Sequence, residues 1–369
     1  MTDTSLLQVE NLRTQFGRRD PLVAVDGVSY ELREGETVGI VGESGAGKSV
    51  SVRSLGGLVD DGEVEGSVRW RGEELIGAPQ RKLRAIRGSG IGMVFQNAEA
   101  AFDPSRTVGA QIVEAVRASH DRTREAARED AINLLEEVGI GDPEGRFRDY
   151  PHEYSGGMAQ RAIIAMALAG EPDLLIADEP TTGLDVSVQA GIVDLFRELV
   201  AKRDMSLLLI SHDLGVVSQL CERMLVFYAG RIVERGSRKQ LLGSPRHPYT
   251  QAFLRSVPDV DVRRDLEPIR GSPPSLDDPP PGCRFHPRCP AAEAGVCDGE
   301  APPTVTFDDD AGVDSADVDG EANDATRHEA TCYAYTDVHP GGDAYDRDAV
   351  ESVEWREESA GEWNEEVAE

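Results

Sequence analysis

The sequence has no long apolar run and no leader segment. None of its stretches reaches the roughly 20 apolar residues that a membrane-spanning helix needs. The polar start, MTDTSLLQVE, lacks the basic and apolar regions of a signal peptide. Five cysteines in 369 residues do not suggest a disulfide framework. We therefore expect a chain that is soluble or that a partner holds at a membrane.

Basic residues are scarce, and lysine is the scarcest of them. The formal net charge is −30, with four lysines and 34 arginines making up the 38 basic residues. We expect no nucleic-acid partner, because binding a phosphate backbone needs a basic surface that displaces counterions. A GC-rich genome that favours arginine codons would explain the few lysines. Adaptation to a salt-rich cytoplasm would also explain the acidic excess, and we favour this halophilic interpretation.

Apolar strands and amphipathic helices alternate from residue 5 to about 240, which predicts an α/β domain. A proline-rich link, GSPPSLDDPPPG at 271–282, leads into a cysteine-bearing segment. Residues 300–369 hold 22 acidic residues against three arginines, and most of this stretch cannot bury enough apolar surface to fold alone. We predict a solvated acidic loop at 303–330 and a disordered acidic tail at 336–369.

The clearest motif is GESGAGKS at 42–49, which fits G-x-x-x-x-G-K-[ST] and follows a predicted strand at 37–41. Its glycines allow a tight loop whose N–H groups face a phosphate, and a helix that begins near Lys48 adds the positive end of its dipole. Lys48 is expected to reach the β- and γ-phosphates, and the Ser49 hydroxyl to bind Mg²⁺. The alternative is a glycine turn with a chance lysine, which the scarcity of lysine disfavours.

An apolar run at 174–177 ends in two carboxylates, Asp178 and Glu179. A buried parallel strand has this pattern, and charges at its carboxyl end lie at the ligand-binding edge of a sheet. Asp178 is expected to hold the Mg²⁺ shell, and Glu179 to orient and deprotonate an attacking water. A strand followed by a capped turn, PTTG at 180–183, is the structural alternative.

Between these motifs lies YSGGMAQR at 154–161, followed by an alanine-rich helical segment. Ser-Gly-Gly ahead of a helix, shortly before an apolar strand that ends in Asp-Glu, resembles the signature motif of ABC ATPases. The resemblance implies that two such domains enclose two ATP molecules, each signature closing on the nucleotide of its partner. Tyr154 departs from the family, in which leucine is commonest, and puts the packing of this helix start in doubt. Taken alone, the segment also fits a glycine-broken helix start.

The resemblance implies functions for further residues. Gln96 resembles the glutamine that senses Mg²⁺ and water and links the nucleotide to the membrane subunits, and His212 the switch histidine that contacts the γ-phosphate. Asp185 resembles the aspartate that communicates across the dimer. Phe16 resembles the aromatic that stacks on adenine, although a core phenylalanine fits nearly as well.

Three overlapping sets of residues follow from these assignments. The implied catalytic residues are Glu179, His212 and Gln96, and the implied Mg²⁺ residues are Ser49, Gln96 and Asp178. The implied ATP-binding residues are Phe16, Gly42, Glu43, Ser44, Gly45, Ala46, Gly47, Lys48, Ser49, Val50, Ser155, Gly156, Gly157, Met158, Gln160 and Asp185.

The run PRHPYT at 245–250, followed by QAFLRSVP, resembles the C-terminal extension of ATPases that serve dipeptide, oligopeptide and nickel importers. This branch implies ATP-driven import of short peptides, with nickel and other small solutes left open. The implied partners are two membrane-spanning permease subunits, a second ABC ATPase or a second copy of this chain, and indirectly an extracellular substrate-binding protein. The implied location is peripheral, on the cytoplasmic face of the membrane. A soluble ABC ATPase of DNA repair, chromosome organisation or translation is the alternative, although the coiled-coil insertions, fused ATPase domains and basic surfaces of those proteins are absent.

Four cysteines of that extension, Cys283, Cys289, Cys297 and Cys332, form C-x5-C-x7-C-x34-C. Four thiolates can hold Zn²⁺ or an iron–sulfur cluster, and the paired C-x2-C motifs usual for zinc are absent. Close members of the peptide branch carry a similar pattern, which the resemblance associates with a 4Fe-4S cluster, and zinc and free thiols are left open. A bound metal would supply folding energy to a segment with little core. Cys221 is expected to be a buried, inert thiol.

The sequence as a whole predicts an α/β fold with two parts and a tail. The first part is a P-loop, ABC-type nucleotide-binding domain at 5–245, with a helical signature subdomain at about 98–170. The second is a small cysteine-bearing extension at 246–335, and the acidic tail follows it.

Overall fold

A computed structural model describes residues 5–17, 19, 21–96, 98–256, 268–307 and 327–336. The chain divides into two compact units. The first comprises Met1–Ile232 with Pro273–Pro279, and the second comprises Val233–Ser272 with Pro280–Glu369. The predicted tail beyond residue 336 and the middle of the predicted acidic loop, 308–326, lie outside the described residues. Within the described ranges, every helix is too short or too polar to span a membrane.

Twelve strands lie in the described part of the chain. They are β1 Ser5–Phe16, β2 Leu22–Arg33, β3 Thr37–Val41, β4 Gly62–Trp70, β5 Glu73–Glu74, β6 Ile91–Val94, β7 Leu174–Asp178, β8 Ser206–Ser211, β9 Arg223–Tyr228, β10 Arg231–Ser237, β11 Thr304–Phe307 and β12 His328–Thr331.

Helices alternate with these strands, which confirms the α/β class. They are α1 Lys48–Leu55, α2 Gln80–Ser89, α3 Ala98–Ala101, α4 Val108–Ser119, α5 Arg124–Glu137, α6 Pro143–Arg146, α7 Gly156–Leu168, α8 Val186–Arg203, α9 Leu214–Leu220, α10 Arg238–Gly243 and α11 Pro248–Ser256. Short 3-10 turns occur at Pro151–Glu153, His286–Arg288 and Tyr333–Tyr335.

A parallel sheet with the order β9-β3-β8-β7-β6 forms the centre of the first unit. Strands β3, β7 and β8 are buried along their whole length, as their continuous apolar sequences predict for strands covered on both faces. The register pairs Val41 with Ser211 and Asp178 with Ile210. Since the strands run in one direction, the segments that follow β3, β7 and β8 meet at the same edge of the sheet.

A second sheet of the first unit is antiparallel, with the order β2-β1-β4-β5. Its apolar face contributes Leu7, Tyr30 and Trp70 to a core that also contains Ile40 and Phe227 of the parallel sheet. This shared core connects strands on both sides of the loop at 42–49, and so holds that loop from two directions.

Helices α3 to α7 all lie between β6 and β7, in the stretch predicted as a helical subdomain. Helices α4, α5 and α7 pack against one another. Threonine side chains cap two of them: Thr107 accepts a hydrogen bond from the N–H of Ala110, and Thr123 from that of Ala126. Two helices of this segment therefore begin at threonine caps, a start signal that can be recognised in the sequence.

The second unit contains a small antiparallel sheet in which β12 lies between β10 and β11. The prediction of a solvated loop over 303–330 is therefore wrong at both ends. Thr304–Phe307 and His328–Thr331 are paired strands because the ring of Phe307 packs against those of His328 and Tyr335. The acidic stretch between the two strands led to the prediction of a loop, although both ends contain β-branched or aromatic residues that favour strands.

Candidate functional site

The loop at 42–49 has a backbone that requires glycine at two positions. Gly42 and Gly47 have φ angles of 149° and 95°. A Cβ at Gly42 would lie 2.2 Å from the carbonyl oxygen of Phe227, and one at Gly47 would lie 2.1 Å from that of Ala24. Helix α1 begins directly after Gly47 and has no side-chain cap, so its first N–H groups are left for a ligand at the loop.

The Lys48 side chain is buried and folds back onto this loop. Its Nζ donates hydrogen bonds to the carbonyl oxygens of Gly42 at 2.8 Å and Glu43 at 2.9 Å. Burial lowers the pKa of Lys48, while the carboxylates of Glu179 and Asp178 act in the opposite direction. A buried ammonium held by carbonyl oxygens is suited to exchange them for the oxygens of a phosphate.

Asp178 and Ser49 form a pair of oxygen donors at the ends of β7 and the loop. The Ser49 hydroxyl donates to Asp178 Oδ1 at 2.7 Å. Asp178 Oδ2 is buried and makes no hydrogen bond, and it lies 3.8 Å from Arg53 Nη2. Burial is the largest cause of the raised pKa of Asp178. This carboxylate lacks a strong partner, and its oxygens with the Ser49 hydroxyl match the hard donor set that Mg²⁺ prefers.

Polar side chains from three segments converge on one oxygen of Glu179. Its Oε2 lies 3.0 Å from Gln96 Nε2, 3.0 Å from Thr182 Oγ1 and 3.3 Å from His212 Nδ1. The Glu179 side chain is 10% exposed, whereas that of His212 is 53% exposed. The backbone of Glu179 has a φ of 49°, a strained value for a non-glycine residue. We call these four side chains the Glu179 cluster.

Sequence reasoning singled out Gln96, Glu179 and His212 but missed Thr182. The missed residue lies in PTTG at 180–183, which the sequence presents as turn chemistry. Its spacing of three residues after Glu179 was the available signal, because a tight turn brings the two side chains to the same side. Glu179 Oε1 is 3.9 Å from Lys48 Nζ, and this contact joins the cluster to the loop at 42–49.

The segment at 154–157 starts helix α7. Ser155 is exposed and its Oγ accepts a hydrogen bond from the N–H of Met158 at 3.3 Å. Gly157 is needed for packing, because a Cβ there would lie 2.6 Å from Val188 Cγ1. The buried Tyr154 donates from its hydroxyl to the carbonyl oxygen of Arg146 at 2.9 Å. The unusual tyrosine therefore packs at the helix start and adds a hydrogen bond that leucine cannot make.

Three other residues predicted to contact the nucleotide lie within separate elements of the first unit. Asp185 caps α8, since it accepts hydrogen bonds from the N–H of Val188 at 3.0 Å and from Ser187 Oγ at 2.7 Å. The first of these bonds is the largest cause that lowers the pKa of Asp185. Phe16 is half-buried at the end of β1, and Gln160 is buried within α7. The contacts of these residues do not join them to the Glu179 cluster.

The second unit brings four cysteines around one cavity. Cys283, Cys289, Cys297 and Cys332 line it together with Phe285 and His247. None of the five cysteines forms a disulfide, and Cys221 is buried in the first unit. Burial raises the pKa of Cys289 and of Cys332 to about 12. Among the described residues, no three His, Cys, Asp or Glu side chains are grouped closely enough to hold a single metal ion.

His247 is held rigidly beside these cysteines. Its backbone N–H donates to Glu234 Oε2 at 2.8 Å, and the N–H of Arg246 donates to Oε1 of the same carboxylate at 2.7 Å. The buried Glu234 also pairs with His328 Nε2 at 2.7 Å. Burial lowers the pKa of His247 to about 3. The run at 245–250 is thus fixed to the small sheet through one buried carboxylate.

Two family models match the chain. Residues 25–182 match the model described as ABC transporter, and residues 233–297 match the model described as oligopeptide/dipeptide transporter, C-terminal region. The first match contains the loop at 42–49 and most of the Glu179 cluster, and the second contains three of the four cavity cysteines.

Curated proteins and a solved structure are similar to the chain over most of their own lengths. The dipeptide transport ATP-binding protein DppD of Bacillus subtilis (strain 168) is 47% identical over 298 residues, covering 79% of this chain and 89% of the relative. The oligopeptide transport ATP-binding protein AppD of the same organism is 44% identical over 294 residues, covering 78% and 90%. The dimeric post-hydrolysis structure of the ATP-binding cassette MJ0796 bound to ADP and Pi matches with a TM-score of 0.58 and 25% identity, covering 63% of this chain and 98% of that one.

Proposed function

Since the chain belongs to the family of ABC transporter ATP-binding proteins of the dipeptide and oligopeptide branch, we propose that it hydrolyses ATP to power import of short peptides. The observation that carries the proposal is the Glu179 cluster beside a glycine loop whose lysine donates hydrogen bonds to two carbonyl oxygens. Import of nickel or another small solute by the same machinery is the alternative, because separate binding proteins choose the cargo.

In this proposal the phosphate loop and the first turn of α1 bind the β- and γ-phosphates. Lys48 Nζ exchanges the carbonyl oxygens of Gly42 and Glu43 for phosphate oxygens, which keeps the buried ammonium paired throughout. Ser49 and Asp178 hold Mg²⁺, which when bound neutralises charge on the phosphates. The Ser49 hydroxyl and the Asp178 carboxylate, 2.7 Å apart, are the two oxygen groups that would hold the ion.

Glu179 then acts as the base for the attacking water. Its Oε2 is held by Gln96, Thr182 and His212, so the carboxylate cannot rotate freely. Oε1 has none of these contacts and accepts the water proton. The chemistry is phosphoryl transfer to water, in which positioning and charge stabilisation supply most of the acceleration. His212 remains more than half exposed and turns its other nitrogen toward the γ-phosphate.

The start of α7 serves a second ATPase subunit in this proposal. Ser155 and Gly156 are exposed at a helix N-terminus, and backbone N–H groups there attract phosphate. The second subunit is a related ATPase or another copy of this chain. Two permease subunits hold the pair at the cytoplasmic face of the membrane, Gln96 links the nucleotide to them, and an extracellular binding protein delivers the cargo. Residues 5–245 form the ATPase domain and 246–335 the extension.

Substitution of Glu179 by Gln tests the ATPase. It removes the proton acceptor and preserves the shape of the side chain, so ATP binding should remain while steady-state hydrolysis falls by about 10²-fold or more. Glu198→Gln on the exposed face of α8 is the matched control and should hydrolyse ATP as the wild type does. Near-normal turnover of the Glu179→Gln variant would refute the proposed base.

The cargo is tested with the assembled transporter in sealed vesicles. ATP-dependent uptake of a labelled dipeptide, abolished by Glu179→Gln, is expected. Uptake of nickel without uptake of any di- or tripeptide would show that the transporter imports nickel and not peptides. Purification of the chain with DNA or ribosomes and without permeases would contradict a transport function altogether.

A 4Fe-4S cluster at the four cysteines is the second part of the proposal. Four thiolates on one tetrahedral zinc ion, at ~2.3 Å each, would lie about 3.8 Å from one another. The four cysteines line one cavity, and four irons at alternate corners of a cube would each take one of their thiolates. Bound iron would also stabilise thiolates that burial otherwise disfavours.

Analysis of protein purified without oxygen tests this cofactor. Four irons and four acid-labile sulfides per chain, with a broad visible absorption band, are expected. Cys289→Ser should lose the band, and Cys221→Ser, at the buried cysteine of the first unit, should keep it. Stoichiometric zinc in place of iron would establish a zinc site. Protein that contained neither iron nor zinc would show that the four cysteines are metal-free thiols.

A further inference from the structure

The imidazole of His247 is completely buried and lines the cavity of the four cysteines. Its backbone is fixed from both sides, because Glu234 accepts the N–H groups of Arg246 and His247. His247 is therefore a rigidly held part of the cavity wall.

The two ring nitrogens of His247 have different surroundings. Nδ1 lies 3.0 Å from the backbone N of Tyr249, which donates its proton to it. A neutral imidazole that accepts at Nδ1 carries its own proton on Nε2. Nε2 is buried and has no hydrogen-bond partner among the described residues. Since buried donors are nearly always paired, this N–H points to a missing acceptor.

Other polar side chains around the cavity are already bonded elsewhere. His286 Nδ1 lies 2.9 Å from the carbonyl oxygen of Cys283. The Tyr333 hydroxyl donates to the carbonyl oxygens of Glu300 and Ala301 at 3.2 and 3.3 Å. Among the described side chains that line this cavity, the Nε2–H of His247 is thus a buried donor without an acceptor.

We propose that His247 donates a hydrogen bond from Nε2 to a sulfur of the cluster held by the four cysteines, and that this bond raises the reduction potential of the cluster. The inference rests on the cluster assigned under the proposed function. A hydrogen bond to sulfur stabilises the more negative, reduced form more than the oxidised form. His247 is accordingly a tuning residue and not a ligand.

Two substitutions separate the functions of the two nitrogens. In His247→Asn, the amide oxygen occupies the place of Nδ1 and still accepts from Tyr249, but no donor reaches the cavity. In His247→Gln, the amide nitrogen occupies the place of Nε2 and still donates, but the bond to Tyr249 is lost. Each variant is the control for the other, since both remove the imidazole.

Midpoint potentials are measured by spectroelectrochemical titration of the full chain, after iron and sulfide analysis. At the wild-type midpoint, His247→Asn should hold about tenfold less reduced cluster relative to oxidised cluster, a shift of ~59 mV for one electron. His247→Gln should remain within about threefold of the wild type. A His247→Asn potential equal to the wild type, or equal shifts in both variants, would overturn the inference.

A second measurement tests the hydrogen bond in the wild-type chain, in case a variant fails to hold its cluster. Pulsed EPR of the reduced wild-type cluster, with isotopically labelled histidine, should detect weak coupling to a histidine nitrogen. That coupling should persist in a chain carrying His286→Asn and no longer appear once His247 is replaced. Its absence from the loaded wild type would overturn the hydrogen bond alone. Absence of iron and sulfide from the wild type would overturn the cluster and this inference together.

Discussion

Replacing Thr182 by Val removes one of the two hydrogen bonds that Glu179 Oε2 accepts from Gln96 and Thr182. Valine has nearly the shape of threonine, so the turn at 180–183 should persist while the 3.0 Å bond to Glu179 is lost. Gln96 and His212 remain as partners of the same oxygen. The carboxylate therefore stays charged but becomes less well oriented.

The expected loss is moderate. A hydrogen bond to a charged group is worth about 1.5–3 kcal/mol. Thr182 is exposed, so solvent competes for its hydroxyl, and about 1 kcal/mol is the appropriate value for this bond. Since about 1.4 kcal/mol corresponds to tenfold in rate, kcat should fall roughly fivefold. The affinity for ATP should not change, because Thr182 contacts the base and not the phosphate loop.

Steady-state ATP hydrolysis by the assembled transporter measures this effect, with nucleotide binding measured in parallel. Thr182→Ser keeps the hydroxyl and is the control, and it should retain most of the wild-type turnover. Wild-type turnover in Thr182→Val, or an equal loss in Thr182→Ser, would show that this hydroxyl does not orient Glu179.

Two further predictions concern stability. Tyr154→Phe removes the hydroxyl that donates to the carbonyl oxygen of Arg146, so the free energy of unfolding should fall by about 1 kcal/mol, which would lower the melting temperature. An unchanged melting temperature would contradict a stabilising effect of this hydrogen bond. Burial raises the pKa of Asp178 in the folded chain above its value of about 3.9 in the unfolded chain. The protonated carboxyl therefore contributes fully to the free energy of unfolding below about pH 3.9, and this contribution is lost as pH rises through the folded pKa. Asp178→Asn should therefore raise the melting temperature of the nucleotide-free chain at neutral pH, with little change at acid pH, and should abolish Mg²⁺-dependent hydrolysis. A melting temperature that falls at neutral pH would contradict this sign.

Elements with a strong local pattern were predictable. The strand Thr37–Val41 and the helix start at Lys48 were both expected from the sequence, because a buried parallel strand, a glycine loop and a helix each have a short-range signal. The two short strands at Thr304–Phe307 and His328–Thr331 were missed. Their pairing joins segments separated by a long acidic stretch, and no local pattern reports a partner at that distance.

Separate segments meet at each candidate site, and only the fold brings them together. Gln96, Glu179 and His212 each carried a motif-level hint, but their convergence on one carboxylate oxygen follows from the parallel order of β6, β7 and β8. The fourth member, Thr182, had been interpreted as part of a turn. In the second unit, the cysteine spacing suggested a common site, whereas the orphaned N–H of His247 is visible only once burial and bonding are known.

The sequence by itself determined the glycine loop at 42–49, the two carboxylates after a buried strand, the helix start at Ser155 and the absence of a disulfide pattern. Each of these depends on residues that are neighbours in the chain, so composition and spacing suffice. The tertiary structure decided which oxygen of Glu179 is held, why a tyrosine fits at 154 and which nitrogen of His247 lacks a partner. Those facts depend on distances between residues remote in sequence, which the packing of the whole sheet sets and no local pattern encodes.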